Sequence, residues 1–399
     1  MTIGGMSLNS TNELNFLERN PKKSLLIIIV VITLLIEMIG HVAYYFVKEE
    51  NFLKSRSVKL SEFTPYGMVR YKENVVIPLK GYPSSLNTDE YGAISSEGIL
   101  NKSAYLIVML GGSTLEGRGA SSNDKTISSI LEGLLNKDPR INSQIKVLNF
   151  GNPGMDTYQE LSALSGYVSQ DFSPDLIISF DGRNDAYYGI SFNEWKMNSQ
   201  PYYEKISRTI NQNLDNNLSV LINNLKKHSI IVTSIDKIIH RINEPFKHNV
   251  DTKLINNNRV DKVIESYINN HEIMKYRSEQ IDAKYYAFFQ PTLTKDNVES
   301  FAQSKIINDW RKTYNDKNIY YDKLDIFYKA VQSKIEKLEW FTDMSFILNN
   351  ETDIYFDSCH YNDKGNGIIS NFIYNKIKND IYNDIKLIER ENNNKSLPT

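Results

Sequence analysis

The chain has 399 residues and a single cysteine, Cys359, which excludes an internal disulfide and any zinc site built on several thiolates. It has no excess of charge. Its 46 Lys and Arg stand against 48 Asp and Glu, a formal net charge of −2, so the basic field that a nucleic acid requires is missing. Internal repeats are absent. Histidines number six, and five of them read as poor candidates for a paired imidazole. His240 has Asp236 four residues upstream in an isoleucine-rich run, and His41, His228, His248 and His271 have no Asp three residues before them. The sixth, His360, lies in "DSCHYNDKGN" (357–366), where Asp357 stands three residues ahead of it.

Long apolar runs are also few, and one decides location. "KKSLLIIIVVITLLIEMIGHVAYYFV" holds 23 residues from Leu25 to Val47, roughly 34 Å as a helix and enough to span a bilayer. Tyr44, Tyr45 and Phe46 suit the membrane interface. Arg19, Lys22 and Lys23 favour a cytoplasmic N-terminus, with the rest of the chain periplasmic or at the cell surface. A cleaved signal peptide is the rival reading, because the strictly apolar core, Leu25 to Ile36, is short. No small-residue cleavage pattern follows it, so an uncleaved anchor is expected. Glu37 and His41 lie one turn apart in the span, where a position near the headgroups is expected and contact with a partner helix is the other option.

The expected organisation is a cytoplasmic tail (1–24), an anchor (25–47), a juxtamembrane module of short strands and loops (48–103), a main domain (104–385) and a polar tail (386–399). In the main domain, "AYLIVML" (104–110), "IKVLNF" (145–150), "DLIISF" (175–180) and "KYYAFFQP" (284–291) read as buried strands. They alternate with helical patterns such as "TISSILEGLLNK" (126–137) and "TYQELSALSGYVSQ" (157–170), which indicates a doubly wound α/β sheet with its site at the carboxyl ends of the strands. Residues 195–282 read as a helical insertion, a solvated elaboration or else a lid or substrate platform. Residues 300–345 read as further helix, with a short strand at "NIYYD" (318–322).

Three strand ends carry unusual residues. "LGGSTLEG" places Ser113 after two glycines, where its hydroxyl can project from a tight turn, although the same letters also make a plain turn. "NFGNPGMDT" carries Gly151 and Gly154, which permit close backbone approach. "SFDGRNDAYYG" ends a strand in Asn184, a side chain that can donate to an oxyanion or cap a helix. Acyl transfer by serine needs a base within hydrogen-bond reach and a carboxylate to hold that base in one tautomer. Asp357 and His360 can supply both from one short segment.

Taken in this order, the four blocks resemble the SGNH, or GDSL-like, hydrolase superfamily over about residues 104–376. The resemblance implies a three-layer α/β/α sandwich with a flavodoxin-like parallel sheet, here preceded by one transmembrane helix. It implies Ser113 as nucleophile, His360 as base and Asp357 as its partner. Ser113, Gly154 and Asn184 would form the oxyanion hole, and no metal or organic cofactor is required. One position departs from the family's name-giving pattern: Gly112 stands where that pattern has Asp. Cys359 is expected to be a buried small residue, Asp185 a cap or loop bond, and Gln290 part of the core strand and turn, with the cleft as its other option. The implied function is an anchored esterase acting on an acylated carbohydrate or other ester. The alternatives are an O-acyltransferase served by a multi-spanning acyl-donor protein and, less favoured, a non-catalytic binding protein.

Overall fold

In the computed structural model of the protein the described residues are 20–48, 60–64, 68–79, 85–94, 104–191, 225, 228–243, 257–294, 312, 318–349, 351 and 353–395. The chain divides into two compact units, Met1–Lys59 with Thr209–Lys247, and Leu60–Arg208 with His248–Thr399. The expected cytoplasmic tail lies almost wholly outside the described residues, as do much of the juxtamembrane module and of the 195–282 segment.

The first unit opens with α1 (Pro21–Lys48), whose apolar side chains are exposed along its length. The second begins with two short antiparallel hairpins, β1 (Ser61–Thr64) with β2 (Met68–Tyr71) and β3 (Val76–Pro78) with β4 (Ser85–Asn87). Tyr71, Ile77, Leu79, Leu86 and Ile94 bury a small core of their own. The main sheet starts at β5 (Tyr105–Gly111), all seven residues of which are buried. After it come α2 (Ser113–Glu116), α3 (Ile127–Asn136), β6 (Ile145–Asn149), α4 (Thr157–Ala163), β7 (Leu176–Asp181) and α5 (Arg183–Ser191). The first unit takes α6 (Ile230–Asn243); α7 (Asn257–Glu279), β8 (Lys284–Phe289), α8 (Asn318–Ile335), β9 (Phe341–Asp343) and α9 (Asp363–Lys395) complete the second.

The five main strands are parallel and lie side by side in the order β6-β5-β7-β8-β9. Counted along the chain this is 2-1-3-4-5, the doubly wound order whose switch point lies between the first and third strands. Side-chain alternation along β8 shows that helices cover both faces. The Tyr286 hydroxyl donates to Asp380 on α9 at 2.6 Å, whereas Tyr285, pointing the opposite way, meets His271 on α7 at 2.7 Å. Beside α9 lies α3; beside α7 lie α4, α5 and α8. Ile369, Ile373, Ile377, Ile381 and Ile385, four residues apart, form the buried stripe of α9.

Three expectations change. The segment "NIYYD" is the start of α8, because Tyr321, Leu324, Phe327, Tyr328, Val331 and Ile335 recur at helical spacing and bury one face. A fifth strand, β9, stands where only helix was expected. The final part of the 195–282 segment is no solvated elaboration: α7 buries Val260, Val263, Ile264, Tyr267 and Met274 and forms a layer of the sandwich.

Within the first unit, α1 packs against α6. Ser229 caps α6, its Oγ accepting from the N–H of Val232 at 3.1 Å. Glu37 of α1 accepts from the N–H groups of Ile230 and Ile231 and from the Ser229 hydroxyl at 3.0 Å. Of the two options open for Glu37, contact with a partner helix is the one found.

Candidate active site

The site forms where β5, β6 and β7 end. Ser113 is the first residue of α2, so its N–H belongs to the turn that has no intrahelical acceptor. Its Oγ lies 2.7 Å from Nε2 of His360, which the last loop brings in from 247 residues along the chain. His360 Nδ1 lies 2.6 Å from Asp357 Oδ2. The other oxygen of Asp357 accepts from the N–H groups of Cys359 and His360 at 2.9 and 3.0 Å, so the loop folds around its own carboxylate. In the neutral imidazole Nδ1–H donates to Asp357 and Nε2 accepts from Ser113.

Neighbouring elements fix this loop. The Ser358 carbonyl accepts from Leu293 N at 2.8 Å and from the Thr292 hydroxyl at 2.9 Å. Asp363, at the start of α9, accepts from Ser121 N at 2.8 Å and from Ser121 Oγ at 2.6 Å. The imidazole is 11% exposed and the Asp357 side chain 44%. Burial disfavours the imidazolium, but the adjacent Cys359 sulfur and the Asp357 carboxylate outweigh it and push the His360 pKa up to about 10.

The turns after β6 and β7 are tied together. Asn184 Nδ2 donates to Met155 O at 2.8 Å, and Asp185 accepts from the Thr157 hydroxyl and its N–H. Asp156 and Gln159 form a reciprocal capping box that starts α4. Gly154 has φ +75°, the left-handed conformation that a side chain would oppose. At Gly112 an added Cβ would fall 2.3 Å from Asn184 Nδ2, so the amide occupies the space that a side chain in the name-giving pattern would need. An amide nitrogen carries two hydrogens, and the bond to Met155 uses one.

The cleft above these groups is about 430 Å³ and is bordered by Arg118, Pro153, Arg183, Tyr187 and Tyr188 as well as by Ser113, Gly154, Asn184 and His360. Behind Ser113, the fully buried Glu116 accepts from Tyr71 and from Arg118 Nε at 2.9 Å; burial raises its pKa against the pull of both. Cys359 is only partly buried and lines the cleft, with Sγ 3.8 Å from His360 Nδ1, which corrects the expectation of a buried residue. Donor atoms of Asp357, Cys359 and His360 lie within 4.8 Å of one another, a spacing a metal ion could share. Both imidazole nitrogens, however, are already within hydrogen-bond reach of Asp357 and Ser113. Gln290 is buried and donates to Thr114 at 3.3 Å, the core option of its two.

One set of residues escaped the sequence reading. His271 is fully buried with Nε2 3.2 Å from Asp181 Oδ1 and Nδ1 2.7 Å from the Tyr285 hydroxyl, so it is a paired imidazole after all. The Tyr267 hydroxyl donates to Asp181 at 2.6 Å and Ser179 Oγ at 2.8 Å. Burial works against the Asp181 charge, but His271, Tyr267 and Ser179 hold its pKa below the usual range. Burial and the Asp181 charge raise Glu160. Burial, Asp156 and Asp181 raise Asp185. This cluster lies under the turn that presents Asn184.

The GDSL-like lipase/acylhydrolase family model matches residues 107–373. No curated protein matches the chain. Among solved structures it is similar to the lipase Lip_vut3 from a goat rumen metagenome, at 11% identity over 68% of this chain and 97% of that one, with a TM-score of 0.39. A mutant of the acetylxylan esterase Axe2 from Geobacillus stearothermophilus matches at 12% identity over 70% and 96%, with a TM-score of 0.37.

Proposed function

The chain belongs to the GDSL-like lipase/acylhydrolase family, and on that premise we propose a membrane-anchored serine ester hydrolase whose working groups are Ser113, His360 and Asp357. The observation that carries the reading is the relay of 2.7 and 2.6 Å from Ser113 through His360 to Asp357 at the edge of the cleft. His360 Nε2 takes the Ser113 proton as Oγ forms its bond to the ester carbonyl carbon. The N–H groups of Ser113 and Gly154 and the second hydrogen of Asn184 Nδ2 stabilise the oxyanion. Collapse breaks the bond to the alkoxy group, which leaves with the proton from His360. Water then repeats the sequence on the acyl-enzyme.

O-acyl groups of a glycan are the proposed substrate class. The rings of Tyr187 and Tyr188 beside the cleft suit the apolar side of a sugar, and the guanidinium groups of Arg118 and Arg183, the latter seated over the Tyr187 ring, suit its hydroxyls or carboxylate. Anchoring through residues 25–47 is supported by α1, apolar over Pro21–Phe46 and exposed except along the face that meets α6. The lysines and arginine before it support a catalytic domain outside the cytoplasm.

The test is hydrolysis of p-nitrophenyl acetate by the full chain in detergent beside its Ser113→Ala variant. Loss of turnover in the variant is expected, by at least about 10⁴-fold. Equal rates in the two proteins overturn the reading. Acceptor sugars in the same assay report any transfer in place of hydrolysis.

A further inference from the structure

We infer that α6 is a second membrane-contacting helix, capped at its start by Glu37 within the span and laying a stripe of isoleucine and valine into the acyl chains of the bilayer. This inference rests on the anchor reading of α1.

A carboxylate among lipid tails is costly unless it is paired. Glu37 is seven residues from Tyr44, about 11 Å along the helix from the aromatic belt. The side chains of Met38, Ile39 and Val42 between them are exposed. Glu37 is satisfied from one direction by the start of α6: two backbone N–H groups, the Ser229 hydroxyl and the positive end of the helix dipole. His41 Nε2 is 3.3 Å away on the next turn of α1. The two backbones meet at Gly40, where an added Cβ would lie 3.1 Å from Ile230 Cγ2. The first turn of α6 is therefore held at a level of α1 whose neighbouring residues are apolar.

The register of α6 shows which side faces lipid. Ile230 is half-buried and Thr233 buried, so this side meets α1. At 100° per residue, positions 231, 232, 235, 238, 239 and 242 fall within one arc of about 120°, and the sequence fills all six with Ile or Val. That arc is centred away from the positions of Ile230 and Thr233; of its members Ile231 and Val232 are half-buried, and Ile235 and Ile238 are 50% and 54% exposed. Position 236 lies outside the arc and is Asp. Continuity with a lipid-exposed span on one side and polar residues on the other is the pattern of a helix lying in the bilayer surface.

The experiment places single spin labels on the full chain in phosphatidylcholine vesicles, in a Cys359→Ser background. Labels go at Ile238→Cys, Ile235→Cys, Asp236→Cys and, as the anchor control, Val30→Cys. Collisions with oxygen, which concentrates in lipid, should exceed those with a water-soluble nickel chelate at 30, 235 and 238, and the order should reverse at 236. Chelate access at 235 and 238 with Val30 still shielded overturns the inference and leaves the anchor standing. Shielding of 235 and 238 from both reagents also overturns it, because a protein surface then covers the stripe. Chelate access at Val30 overturns the anchor and the inference together.

Discussion

Among the described residues two Asp–His pairs stand out, and they differ in what faces the second ring nitrogen. His360 pairs with Asp357 in its own loop and turns its other nitrogen to Ser113 at the cleft. His271 pairs with Asp181, 90 residues away, and turns its other nitrogen to Tyr285 in the core. Both have a carboxylate that orients the ring. Only the first has a nitrogen facing a hydroxyl that a substrate can reach. In the proposed mechanism a paired imidazole acts as a base through what stands at its second nitrogen; with a core tyrosine there, it is a strut.

Removing each ring is the sharpest way to break this comparison. His360→Ala should lower kcat by about 10⁴-fold or more in a protein that still folds. His271→Ala leaves the buried Asp181 carboxylate without one of its hydrogen-bond partners and should cost about 2–3 kcal/mol of stability. At temperatures where that variant is folded, its kcat should be far closer to the parent's. Thermal unfolding beside steady-state kinetics separates the two, and a reversed pattern would mean that the roles have been exchanged.

Next in size is the proposed oxyanion arm. Asn184→Ala should lower kcat by about 10²–10³-fold, about 2.7–4 kcal/mol in the barrier, with KM little changed. An unchanged kcat would remove Asn184 from the hole and leave it as a tie to Met155.

The smallest effect concerns Cys359. A base must be neutral to take a proton, so a His360 pKa pushed up to about 10 predicts that kcat/KM climbs with pH towards that value. Cys359→Ser removes one of the groups that raise it, so the limb should move to lower pH and activity at neutral pH should rise. An unmoved limb would assign the shift to Asp357 alone. The same pair favours the folded state below the unfolded histidine value, and that contribution is lost as pH rises through about 10.

Residue types and chain order made much of this legible. β5, β6, β7 and β8 are apolar runs because both faces of the sheet are covered, and Ser113, Gly154, Asn184, Asp357 and His360 sit at turns whose spacing is local. His271 was not legible, since its partner Asp181 is brought to it only by the packing of α7 on β7 and β8. β9, three residues long, carries too little pattern to register. The tyrosines of "NIYYD" suit a strand by propensity, and the burial of one face of α8 overrides that preference. Glu37 resembled a headgroup residue because its partner, the start of α6, lies 192 residues further on.

The most direct test of the central claim is to trap the acyl-enzyme position. The full chain, in detergent, is treated with a fluorophosphonate and the adduct is located by peptide mass spectrometry. One adduct on Ser113, absent in both Ser113→Ala and His360→Ala, is the predicted result. Turnover of an ester with no adduct on Ser113, or with the adduct on Cys359 or another serine, would contradict the account.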